Sequence, residues 1–275
     1  MKLRIYSDLH LEQENQEFKP VDGLAQDDVI VLAGDIHEGT AGIAWARKTF
    51  ADQRIVYVAG NHEYFNVGEW DGAIADMRDE ARRQDVHFLE NESIDIDGVR
   101  FLGCTLWSDF MHFGSQQKLA AMLEAFHYLP DFHAVWAKRS LNGQLSPQLS
   151  VERHLASRKW LVEELKHGEP ERTVVVTHHF PNRRSVHPKY ANQLLTAAFG
   201  VNFSEPIMRG AGLWIHGHTH QSARYRVGDS KEYALVRSNP RGYPYCWLDG
   251  EYENEHFDPE FQVTFADGVW RDRQS

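Results

Sequence analysis

An α/β architecture with two sheets is what this sequence predicts, and three observations carry it. Five short runs, residues 3–6, 29–33, 55–59, 174–176 and 213–215, are apolar or β-branched with little alternation, as strands buried on both faces are. Helical patterns lie between them, so strand and helix alternate as in βαβ units. Elsewhere the chain does alternate. Residues 93–105 carry Asp97-Gly98 in their middle, a hairpin signal, and residues 225–247 hold two strand-like runs around Gly228-Asp229. A second, partly antiparallel sheet is expected.

Taken in order, the runs at 3–6 and 29–33 are strands, and 41–50 is a helix. A strand at 55–59 follows. Residues 70–83 form a helix with Ala73, Ile74, Met77 and Ala81 on one face. The hairpin at 93–105 comes next. Residues 109–150 read as an insertion, rich in Phe110, Phe113, Phe126, Tyr128, Phe132 and Trp136, and closing in the turn-like Asn142-Gly143 and Ser146-Pro147. Residues 151–166 form a helix with Leu155, Trp160, Leu161 and Leu165 at helical spacing, stopped by His167-Gly168. Strands at 174–176 and 213–215 complete the set. No repeat, low-complexity tract or linker divides the chain, so one domain over 1–275 with a helical insertion at 109–150 is expected.

Length and composition bound the function. The chain has 275 residues, and 29 lysines plus arginines face 40 aspartates plus glutamates, a formal charge of −11. That length buries a sizeable core. Hydrophobic residues at 42% and charged residues at 25% exclude general disorder. The acidic balance argues against nonspecific duplex-DNA binding, which needs a basic footprint. It is compatible with a local positive site supplied by metal. Cys104 and Cys246 make no disulfide framework, and Cys104, in the apolar run Phe101-Leu102-Gly103-Cys104, reads as a buried structural thiol. The apolar runs are far shorter than the ~20 residues that span a bilayer. No secretory pattern precedes the first strand-like run, so the expected location is the cytoplasm.

The chemistry concentrates where the five runs end. They close in Ser7-Asp8-Leu9-His10, Ala33-Gly34-Asp35, Gly60-Asn61-His62-Glu63, Thr177-His178-His179-Phe180-Pro181 and His216-Gly217-His218-Thr219-His220. Ligands of open α/β sheets bind beyond the carboxyl ends of the strands. Gly34, Gly60 and Gly217 allow sharp turns and close approach there. The chain has 16 histidines, and the tight pairs among them point to metal. Such an inventory of Asp, Asn and His exceeds one tetrahedral zinc site. Mixed carboxylate, amide and imidazole ligands suit Mn, Fe or Zn, and two such ions sharing a carboxylate suit phosphate-ester hydrolysis.

In this order, Asp-x-His, Gly-Asp, Gly-Asn-His-Glu, His-x-Pro and Gly-His-Thr-His resemble the calcineurin-like metallophosphoesterase superfamily over residues 8–220. The resemblance implies a four-layer α/β/β/α sandwich with two packed mixed sheets and the metals at one edge. It implies a phosphoric ester hydrolase in which metal-bridged hydroxide attacks phosphorus. By motif, Asp8, His10 and His220 resemble ligands of a first metal, Asp35 the bridging carboxylate, and Asn61 and His218 ligands of a second. His62 resembles the outer-sphere histidine that contacts phosphate or protonates the leaving group. The remaining ligand falls to His178 or His179. The family pattern sets it two residues before a proline, which favours His179 and turns His178 toward substrate or the second shell.

The metal core sets the reaction class, and surrounding loops choose the substrate. His37, with Glu38, follows Asp35 and is a candidate to reach substrate or metal. Arg183, with Arg184, follows His179 and is a candidate to grip phosphate fork-wise. Asn239-Pro240-Arg241-Gly242-Tyr243 is similar to a segment of some bacterial members, which makes Arg241 and Tyr243 candidates to line the site. Glu63 reads as a loop or helix-start carboxylate. Residues 109–150 are either a cap over the site or a core of their own. No basic-aromatic repeat marks a single-strand nucleic-acid channel, so the expected partner is a small or medium phosphoester. Nucleic acid enters as nucleotide or short oligonucleotide, and no membrane partner is expected. Monoester and diester both stand, with extra arginines favouring the monoester. A scaffold that has lost catalysis would lack Asp35, Asn61 or His62, and all three are present. A lactamase-like metallohydrolase would carry a His-x-His-x-Asp-His cluster, which this chain lacks.

Overall fold

A computed structural model describes residues 1–13, 18–21, 23–138, 143–245 and 251–272. The first sheet is built on parallel strands β1 (Lys2–Tyr6), β2 (Asp28–Ala33), β3 (Arg54–Val58) and the short β4 (His87–Phe88). In the second sheet β5 (Glu92–Ile96) pairs antiparallel with β6 (Val99–Cys104), and β7 (Thr173–Thr177), β8 (Leu213–His216) and β10 (Tyr233–Ser238) run parallel with β6. β9 (Ala223–Gly228) closes that edge antiparallel to β10. β11 (Gln262–Ala266) and β12 (Val269–Asp272) return to the first sheet beside β1. The orders are β12-β11-β1-β2-β3-β4 and β5-β6-β7-β8-β10-β9.

The helices are α1 (Ala41–Thr49), α2 (Trp70–Arg83), α3 (Lys118–Tyr128), α4 (Asp131–Ala134), α5 (Pro147–Glu164) and α6 (Glu205–Met208). Three buried clusters lie between the layers. Ile30, Leu32, Ile55 and Tyr57 face Ile43 and Ala46 of α1 and Met77 of α2. Leu3, Ile5, Val29, Val31, Val56 and Val58 face Val174, Val176, Leu213 and Ile215 of the other sheet. Val175, Trp214 and Val236 face Leu161 of α5 and Met208 of α6. Successive side chains of a strand point to opposite faces, so each parallel strand but the two-residue β4 supplies two of these clusters at once. That is why those strands read as unbroken apolar runs. The expected α/β/β/α sandwich with two packed mixed sheets is what forms.

The Asp97-Gly98 turn has both residues at positive φ, 49° and 74°, as a two-residue hairpin of this type requires. Helix α5 starts earlier than its apolar spacing predicts. The Ser146 side chain accepts from Leu149 N at 3.2 Å and Pro147 takes the first helical position. Asn142, of the other turn-like pair, lies outside the described residues, as does Cys246. Cys104 is a buried free thiol.

Residues 109–138 and 143–150 follow β6 in the chain and pack against the first sheet's helical side. Phe110, Ala121, Ala125, Phe132 and Val135 join the cluster that holds α1 and α2. The Asn66 and Trp70 N–H groups donate to Ala134 O (3.2 Å) and Trp136 O (2.9 Å). Phe126, Tyr128 and Trp136, by contrast, keep their rings exposed. No helix among the described residues is long and apolar enough to cross a membrane.

Candidate metal centre

All the parallel strands of both sheets end on one edge, and there the loops lock together. The Asp8 N–H donates to Gly34 O at 2.9 Å and the His10 N–H to Asp35 O at 3.0 Å. Across the sheets, the His218 N–H donates to Asp8 Oδ1 at 2.8 Å. Two glycines make this possible. A Cβ on Gly34, which has φ +87°, would overlap His178 and the backbone of Gly60, and one on Gly217 would press into Asp8 Oδ2.

Three groupings of ligand atoms converge: Asp8, His10 and His220; His10, Asp35 and His62; Asp35, His178 and His218. His10 Nε2 lies 3.0 Å from His220 Nε2 and 3.9 Å from Asp35 Oδ2. His178 Nε2 lies 3.3 Å from Asp35 Oδ2 and 3.1 Å from both Asn61 Oδ1 and His218 Nδ1. Asp35 belongs to two groupings, as a carboxylate shared by two ions would. Together these residues form a candidate dinuclear metal site.

The donor set fits a pair of cations. Imidazole nitrogens face one another across 3 Å with buried carboxylates between them, and Asp8 Oδ2 is buried with no hydrogen-bond partner among the described residues. Other partners aim the ring nitrogens. Glu12 Oε1 takes His10 Nδ1 at 3.1 Å and His62 Nδ1 at 3.0 Å. Ala33 O takes His178 Nδ1 at 2.9 Å, and Glu253 takes His220 Nδ1. Each of these four rings then presents Nε2 to the centre.

Charge follows the geometry. Burial alone would raise the Asp35 carboxyl, but His178, His62 and His10 hold it well below the usual carboxylate range. Burial disfavours the charged His178 and His62, yet Asp35 with its neighbours lifts both to about 9. His220 is lifted likewise to about 10 by Asp8 and Glu253. Without metal, protons occupy the lone pairs that a cation would take.

The histidine pair corrects one expectation. His178, not His179, joins the ligand atoms. Val174 and Val176 of β7 face the other sheet, and His178 continues that parity toward Asp35. His179 falls on the opposite face, where Thr105 O accepts from its N–H and lies 3.2 Å from Nδ1. Burial and the His178 charge push His179 down to about 3, a neutral ring.

The substrate candidates fare differently. A cleft of about 740 Å³ opens over the centre. Asp35, Asn61, His62, His218 and His220 line it, and so does Tyr243, but His37, Arg183 and Arg241 do not. Arg183 is exposed on a surface turn and Arg184 donates to Arg226 O at 2.6 Å. Arg241 is buried behind the centre, its guanidinium on Leu9 O and over the Tyr252 ring at 4.4 Å. It ties the loop after β10 to Leu9 and Tyr252 and does not line the cleft. Of the two expected settings, loop or helix start, Glu63 takes the helix start, in the short helical turn His62–Tyr64, and accepts from the N–H groups of Asp35 (3.0 Å), Ile36 (2.9 Å) and Gly60 (2.7 Å).

Three residues near the centre escaped the sequence reading. Glu12 had a signal, the alternate spacing Asp8-x-His10-x-Glu12. Asp131, in the cleft wall at the start of α4, is pushed up to about 6 mainly by burial, and only the Leu129-Pro130 turn marks it. Glu253 has no local signal.

The family model for calcineurin-like phosphoesterases matches residues 1–222. The chain belongs to that family. The match contains every residue of the three ligand groupings, and the arrangement is the dinuclear motif typical of active members. An uncharacterized protein of Acanthamoeba polyphaga mimivirus is 25% identical over 222 residues, 71% of this chain and 73% of that protein. Among solved structures, the phosphopantetheinyl hydrolase of Mycobacterium tuberculosis superposes with a TM-score of 0.64 at 17% identity, over 90% of this chain and 94% of that one. At that identity the likeness is one of fold.

Proposed function

We propose that this calcineurin-like phosphoesterase is a phosphodiester hydrolase with its cleft between Leu129–Asp131 and the loops around Lys189 and Tyr243. The observation that carries the reading is the cleft's charge. Lys189 is the one lysine or arginine among the described residues that line it, while Asp131 and Glu253 line it too. A monoester at neutral pH carries close to two negative charges and gains most from arginine forks. A diester carries one. With Arg183 and Arg241 placed elsewhere, the argument for a monoester loses its residues.

Asp8, His10, Asp35 and His220 would hold one ion, and Asp35, Asn61, His178 and His218 the other. Bound there, the ions supply Lewis acidity to the phosphoryl oxygens and to water. The chain does the rest. Glu12 fixes the ring of His62, and His62 in turn serves the phosphate or the leaving group. That Leu129, Pro130 and Asp131 line the cleft supports reading this segment as a cap on one side of it. The low cysteine count supports a reducing, cytoplasmic setting.

The test compares p-nitrophenyl phosphate with bis-p-nitrophenyl phosphate on metal-stripped protein refilled with Mn²⁺. Faster cleavage of the bis-ester is expected. Faster cleavage of the monoester overturns the diester reading, and no cleavage of either with two ions bound favours a scaffold.

A further inference from the structure

A sixth strand end reaches the centre from beyond the family match. After β10 the segment Asn239-Pro240-Arg241-Gly242-Tyr243 is tied along the end of β1. Pro240 bridges Ser7, and the Arg241 and Gly242 N–H groups donate to Ser7 O (3.1 Å) and Asp8 O (3.0 Å). Gly242 has φ +80°, and a Cβ there would stand 3.0 Å from Glu253 Cβ and 3.3 Å from His220 Cβ. This turn sets the Tyr243 ring 4.2 Å from the His10 ring and 4.7 Å from the His220 ring. Its hydroxyl lies 3.0 Å from His62 Nε2. Because Glu12 takes the Nδ1 side of His62 at 3.0 Å, Nε2 is the atom through which that ring exchanges protons with the cleft. The Tyr243 hydroxyl is the group hydrogen-bonded to that atom, and Tyr243 lines the cleft beside His62.

We propose that Tyr243 delivers the leaving-group proton and His62 resupplies it, an assignment that rests on the phosphoester reading above. The oxygen of water bonds to phosphorus and the ester P–O bond breaks, its electron pair staying on the departing oxygen. That oxygen takes the Tyr243 hydroxyl proton. The tyrosine oxygen takes the Nε2 proton of the His62 imidazolium, and the proton released by the attacking water restores His62 through solvent. Donor and resupply share one hydrogen bond, so no phenolate accumulates.

The experiment is Tyr243→Phe, which keeps the ring against His10 and removes the hydroxyl. Two diesters are compared on metal-saturated protein: methyl p-nitrophenyl phosphate, whose leaving group departs unprotonated, and methyl phenyl phosphate, whose leaving group needs the proton. General acids contribute about 10²–10⁴-fold, so with His62 still present kcat on the phenyl ester should fall by about 10-fold or more, and on the nitrophenyl ester by no more than about 3-fold. Bound metal, measured by elemental analysis, should stay at the wild-type level. Equal falls on both esters, unchanged rates on both, or loss of metal overturns the assignment. If the wild type cleaves neither ester with metal bound, the phosphoester reading itself fails, and that result shows before any variant is made.

Discussion

Asp35 and His62 stand within 4.0 Å of each other, yet the geometry gives them separable tasks. Asp35 Oδ2 faces the ligand atoms of both candidate ion sites, while Oδ1 accepts the His62 N–H at 2.9 Å. Replacing Asp35 with Ala should therefore remove bound metal and activity together, and full activity with stoichiometric metal would sink the shared-carboxylate assignment. His62→Ala should leave metal bound and cut turnover by about 10²–10⁴-fold, the span of a lost acid–base contribution, whether His62 protonates the leaving group directly or resupplies Tyr243. Unchanged turnover would reject its role. The motifs make most of this residue-scale picture legible, because each candidate ligand follows a strand end. The choice between His178 and His179 was legible too, in the parity of Val174 and Val176, but only to a reader who knew which face of β7 met the other sheet. Arg241 was not legible. An arginine buried behind a site and one lining it look alike in a chain.

Helices α1 and α2 were readable as elements because their buried positions are plainly apolar. In α5 the buried stripe includes His154 and Ser157 as well as Leu161, so apolar spacing placed Trp160, Leu161 and Leu165 toward the core correctly but not Leu155, which is 54% exposed. β11 and β12 were missed for a related reason. They are partly exposed strands without an apolar run, β12 at the sheet's edge and β11 next to it, although Asp267-Gly268 between them is the same positive-φ turn as Asp97-Gly98. What joins α1 to α2 at their carboxyl ends was invisible in sequence. The Arg47 guanidinium donates to the carbonyls of Phe50, Ala51 and Gln53 at 3.0 Å, Gln84 at 2.8 Å and Asp85 at 2.6 Å. It satisfies the orphan acceptors that follow both helices. Hydrogen bonds to a charged group contribute about 1.5–3 kcal/mol, so Arg47→Met should lower unfolding stability by about that much without touching metal content. Urea denaturation with an unchanged midpoint would show that the cap carries no weight.

At the scale of the whole molecule, two well-packed sheets hold an edge that is costly on its own. Asp8, His10, Asp35, His218 and His220 all have φ between 44° and 69°, a sparsely populated region for residues with a side chain. The carboxylates they carry are buried among imidazoles. In the metal-free protein, protons relieve that burial. His178 and His62 titrate near 9 and His220 near 10, against about 6.5 for a histidine in the unfolded chain. A folded value above the unfolded one means stability that is complete below about pH 6.5 and is lost as pH rises through the folded values. Metal works in the opposite direction, because each imidazole must shed its proton to bind, so affinity grows as pH rises. An ion at about 1,000 times its dissociation constant stabilises the folded state by about 4 kcal/mol. The difference in Tm between loaded and stripped protein should therefore widen from about pH 6.5 to about pH 9. Calorimetry of both forms at the two ends of that range decides it. A difference that narrows would mean that the protons on His178 and His220 do not stand where the ions bind.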